Sequence, residues 1–130
     1  MKAAGLSFIL LFVFGSLMTI DAQTAQQIKL GLNKQKVVTK DKLTIKFVSV
    51  IEDSRCPVGV DCIWAGNAKV QIKATDRTGV SKTFELNTQL EPQAVTFDSY
   101  EIKLAGLLPH PRANVRINPN RYTATLTLIK

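Results

Sequence analysis

The chain has 130 residues, 45% of them apolar, with 17 basic and 10 acidic side chains for a net charge of +7. That length holds one domain whose core has little to spare, and no internal repeat, low-complexity tract or linker divides it. One histidine and two cysteines argue against a transition-metal site.

The first segment predicts export. Lys2 supplies a short positive region, and Gly5 to Ile20 is almost wholly apolar, with Leu6, Phe8, Ile9, Leu10, Leu11, Phe12, Val13 and Phe14. Small Ala22 then offers a cleavage point. A spanning helix needs about 20 apolar residues, and Gly15, Ser16 and Thr19 interrupt the run first. Residues 1–22 are therefore expected to be a cleavable signal peptide. Residues 23–130 are expected to form one secreted or periplasmic domain without a transmembrane segment. Losing Lys2 and Asp21 leaves the charge at +7.

From there the chain reads as strands, because apolar residues recur at every second position. Ile28, Leu30 and Leu32 alternate with Lys29 and Gly31. Leu43, Ile45 and Phe47 alternate with Lys42, Thr44 and Lys46, after which Val48, Val50 and Ile51 are apolar on both parities. A central strand or a bulge has that pattern. Val70, Ile72 and Ala74 form the next strand, and Asp76-Arg77-Thr78-Gly79 is a turn signal. Phe84 and Leu86 follow on a hairpin partner, then a short strand at Val95 and Phe97, and another at Tyr100, Ile102 and Leu104. Leu104-Ala105-Gly106-Leu107-Leu108 is read as a helical turn stopped by Pro109. The last strand carries Tyr122, Ala124, Leu126 and Leu128 on one face and Thr123, Thr125 and Thr127 on the other.

Seven or eight short strands in a chain of this length predict an all-β, single-domain antiparallel β-sandwich, immunoglobulin-like in dimensions. A small closed β-barrel is the alternative.

One segment breaks the strand pattern. Residues 52–67 hold both cysteines, the sole Trp, a Pro and two Gly. The spacing of Cys56 and Cys62 matches neither zinc knuckles nor redox C-x-x-C motifs. In an exported chain the two cysteines are expected to form a disulfide that staples a turn. Closing so short a loop removes about 2–2.5 kcal/mol of unfolded-chain entropy. Two readings of the loop stand side by side. Arg55, Val58, Val60 and Trp64 form a recognition edge for another protein, Trp and Arg being common interface anchors. Alternatively, Arg55 pairs with Asp53 or Asp61 and Trp64 plugs the core.

The string D-S-R-C-P-x4-C-x-W-x-G, Asp53 to Gly66, resembles a family of small secreted bacterial proteins of uncharacterised function. The similarity continues through Leu104 to Pro111 and Tyr122 to Leu126. The resemblance implies export, a β-rich domain and a bacterial source; it implies no activity.

For catalysis, His110 lies between two prolines, and no serine sits in a G-x-S-x-G elbow. No catalytic residue, cofactor or metal ligand set is assigned; Glu52, Asp53 and Asp61 lack the spacing of a known calcium loop. A small hydrolase is thus the third functional reading. The second is electrostatic. Lys34, Lys36, Lys42 and Lys46 fall where Asp41 is the sole acid, a face suited to an acidic polysaccharide or envelope polyanion. Nucleic acid is not expected as a partner, because the lysines lack interleaved aromatics for stacking.

Overall fold

The computed structural model describes residues 25–38 and 40–130, together with Gly15. The expected signal peptide otherwise lies outside the described residues.

Among the described residues, eight strands form two sheets. They are β1 (Ala25–Gly31), β2 (Gln35–Val38), β3 (Leu43–Asp53), β4 (Ala68–Thr75), β5 (Ser81–Asn87), β6 (Ala94–Phe97), β7 (Tyr100–Leu108) and β8 (Thr123–Ile129). One sheet has the order β1-β8-β7-β6, the other β2-β3-β4-β5. Every pairing is antiparallel. The sheets do not close into a barrel, so the molecule is a β-sandwich.

Alternation decides which side chains face the core. Ile28 and Leu30 of β1 lie in register with Leu126 and Ala124 of β8, and Ile102 and Leu104 of β7 with Leu128 and Leu126. In the second sheet Ile45 and Phe47 pair with Ala74 and Ile72, and these in turn with Lys82 and Phe84. The two apolar faces bury Phe47, Ile45, Ile72, Leu86, Ile102 and Leu126 completely. Burying such a side chain is worth about 1.5–3 kcal/mol against leaving it exposed.

Two strands depart from strict alternation, through three bulges. In β3, Phe47 pairs with Ile72 but Ser49 with Gln71, and Val50 pairs with Val70 but Glu52 with Lys69. Val48 and Ile51 are the extra residues, which is why this strand is apolar on both parities. In β7, Leu104 pairs with Leu126 but Gly106 with Thr125, so Ala105 is extra. Leu104 and Leu107 are both buried. The expected helical turn at Leu104–Leu108 is therefore a bulged strand: one inserted residue converts a two-residue period into a three-residue spacing that mimics a helix.

Candidate functional site

The loop from the end of β3 to the start of β4 is built on a polar base. Arg55 folds back on Asp53 with a two-pronged contact, Nε to Oδ1 and Nη2 to Oδ2, both 2.8 Å. Its other donors reach across to the first sheet, Nη1 to the Leu107 carbonyl at 2.6 Å and Nη2 to that of Pro109 at 2.9 Å. The reason lies in the neighbouring edge. Strand β6 pairs with β7 as far as Lys103, and Leu104 N donates to Gln93 O. Beyond that point β7 has no strand partner on this side among the described residues, and the guanidinium supplies the missing donors.

Tyr122, which leads into β8, donates its hydroxyl to Asp53 Oδ2 at 2.8 Å. The side chains of Arg55 and Asp53 are 8% and 9% exposed. Burial pushes the Asp53 carboxyl upward, but the donors of Arg55 and Tyr122 outweigh it and hold the group below its ordinary value. Burial, reinforced by the Asp53 carboxylate, pushes the Tyr122 phenol up to about 12.

The two arms of the loop run alongside each other. Ser54 N donates to Asn67 O at 2.7 Å and Cys56 N to Ala65 O at 3.0 Å. Asn67 is buried, and its side chain is a hub. Its Nδ2 donates to Asn87 Oδ1 at 2.9 Å, and its Oδ1 accepts from Gln89 N and Leu90 N at 3.0 and 3.1 Å. On the far arm, Val58 N donates to Pro111 O at 2.9 Å and His110 Nε2 to Cys56 O at 2.9 Å. Cys56 and Cys62 form the expected disulfide, with Cα atoms 5.9 Å apart.

Above this tied base stands an apolar tip. Val58 is 58% exposed, Val60 44%, Ile63 92% and Trp64 79%. Trp64 therefore does not plug the core. Arg55, expected at the recognition edge, is instead spent on internal contacts; its pairing with Asp53 is the structural alternative. Ile63 escaped the sequence reading, although its place beside Trp64 in a Gly- and Pro-bearing segment is itself a signal. The polar hub of Asn67 and Asn87 had no sequence signal, since its partners are 20 residues apart.

The four lysines of the electrostatic reading do not share one row. Lys46 lies opposite Gln35 and Lys73, while Lys36 lies opposite buried Ile45 on edge strand β2, on the other parity. Lys34 sits in the link from β1 to β2, its N donating to Gly31 O. Lys42 takes φ 50° in the turn before β3.

A groove of about 590 Å³ runs beside the loop base, with Lys29, Gln27, Thr125, His110 and Gln89 among its walls. Among the described residues no carboxylate lines it, and the His110 Nε2 proton is committed to Cys56 O. Of the acids in the loop, Asp53 is held by Arg55 and Tyr122, and Glu52 accepts from Ser54 Oγ at 3.3 Å.

Fold and site together define a class: a two-sheet antiparallel sandwich presenting an apolar, disulfide-stapled loop at one end. No protein-family model, curated protein or solved structure matches the chain.

Proposed function

We propose that this protein is an exported, non-enzymatic binding module that holds another protein through the tip of its stapled loop. The observation that carries the reading is the contrast within residues 53–67. The base is tied by hydrogen bonds, with Asn67 and the Arg55 and Asp53 side chains buried, whereas Val58, Val60, Ile63 and Trp64 stand in solvent. Large apolar side chains on a loop cost solubility unless a partner covers them. A loop held by a disulfide and backbone bonds loses little freedom on binding. Trp is among the residues that contribute most at interface centres.

The test is affinity capture from cell-envelope and culture-supernatant extracts, with identification of what is retained. Wild-type protein is compared with Ile63→Ser/Trp64→Ser at low and high salt. A defined protein held at both salts and lost with the double variant supports the reading. Retention that disappears with salt, survives the double variant and falls with Lys34→Gln/Lys36→Gln/Lys42→Gln/Lys46→Gln overturns it in favour of polyanion binding.

A further inference from the structure

The segment between β7 and β8 makes a second site beside the loop. Residues 109–122 are irregular apart from a 3₁₀ turn at Pro119–Arg121. They are held in shape locally: Val115 N donates to Arg112 O at 3.2 Å, Asn114 takes φ 60°, and Asn118 Oδ1 accepts from Asn120 N at 3.1 Å. Val58 of the stapled loop bridges to Arg112. The result is a pocket of about 390 Å³ lined by Arg112, Arg116, Arg121 and His110, with Val115 and Ile117 as an apolar wall. That volume is within the range of small-molecule sites.

Charge sets its chemistry. Residues 102–130 hold five basic side chains and no Asp or Glu. Among the described residues, none of the three arginines makes an ion pair; the pairs present are Arg55 with Asp53 and Lys130 with Asp41. Three guanidinium groups brought to one concavity repel one another unless an anion joins them. Their planar forks match tetrahedral oxyanions two bonds at a time. The apolar wall suits an organic group attached to such an anion.

We propose that this pocket binds an organic phosphate or sulfate, with Arg112, Arg116 and Arg121 on the oxyanion and Val115 and Ile117 on the organic part. The same chemistry reaches the pocket from two sources, a dissolved ester or the phosphate headgroup of an anionic lipid. Phenyl phosphate and phenyl sulfate are titrated calorimetrically into the protein at low salt. In parallel, the protein is sedimented with phosphatidylcholine vesicles with and without phosphatidylglycerol. The expected result is saturable binding of a phenyl ester or of the phosphatidylglycerol vesicles, weakened tenfold or more by Arg112→Gln/Arg116→Gln. The same binding is unchanged in Lys34→Gln/Lys36→Gln and in Ile63→Ser/Trp64→Ser, which separates it from capture of a protein by the loop tip. Ester binding without vesicle binding assigns a dissolved ligand; vesicle binding displaced by phenyl phosphate assigns a headgroup. Circular dichroism and urea midpoints confirm that each variant is folded, and these exposed positions leave room for glutamine. No binding of either probe, or an equal loss in the lysine variant, overturns the proposal.

Discussion

Gly66 is where the stapled loop turns back against its own incoming arm. It has φ +73°, and a Cβ there would lie 2.0 Å from Ser54 O and 2.7 Å from Arg55 Cα. Both the backbone angle and the contact therefore require glycine. Since the blocking atoms are backbone, no side-chain rotation relieves the clash. Gly66→Ala is expected to cost more than about 3 kcal/mol, read as a drop in the urea midpoint. Gly59 offers the internal comparison: φ is +85°, but nothing lies within 4 Å, so alanine there costs about 1 kcal/mol.

At the scale of the element, the loop from β3 to β4 is stabilised in two separable ways. The disulfide acts through the unfolded chain by shortening the excursions of a small ring. The hydrogen bonds of Arg55 and Asn67 act in the folded state and do not involve sulfur. Cys56→Ala/Cys62→Ala is accordingly expected to lose about 2 kcal/mol of stability, while far-UV circular dichroism of the two sheets stays unchanged. Disappearance of the sheet signal would show that the staple organises more than the loop. The strands themselves were largely legible. Tyr122, Ala124, Leu126 and Leu128 alternate as the sequence predicts, and the turn at Asp76 is held by that carboxylate accepting from Thr78 N and Val80 N. Bulges set the limit. The insertion at Ala105 disguised a strand as a helical turn, because spacing along the chain does not reveal which residue lacks a partner across the ladder.

Across the whole molecule, two carboxylate–tyrosine contacts clasp the sheets at opposite ends of β7. Near Leu108, Asp53 of one sheet holds Arg55 and Tyr122, and Arg55 in turn holds β7 of the other. Near Tyr100, Asp41 accepts from Tyr100 Oη and Lys130 Nζ. Those two donors hold the Asp41 carboxyl below its ordinary value, and the bond to Asp41 raises Tyr100. Both clasps work while the acid is ionised and the phenol neutral, which sets the pH dependence. A lowered carboxyl contributes stability that is present above its ordinary value of 3.8 and lost as pH falls below it. A raised phenol contributes stability that is present below 10 and lost as pH rises towards about 12. Urea midpoints are expected to be level between those limits and to fall on either side. Tyr122→Phe is expected to remove from the ultraviolet phenolate titration the step at about 12 and to flatten the alkaline fall. A Tyr122 step at 10 would show that the clasp is open in solution.

The sequence by itself determined the all-β class, the alternating core faces and the cysteine pairing. Each depends on a residue's neighbours within a few positions, or on there being only two cysteines to pair. Only the tertiary structure decided how the eight strands divide between two open sheets. It also decided that Arg55 turns inward to serve the free edge of β7, and that Ile63 and Trp64 turn outward. These outcomes depend on distant partners: the pairing of Ala25 with Ile129 joins residues 104 apart. A guanidinium turns inward where unpaired carbonyls await it, and that condition is not written in the spacing of a motif.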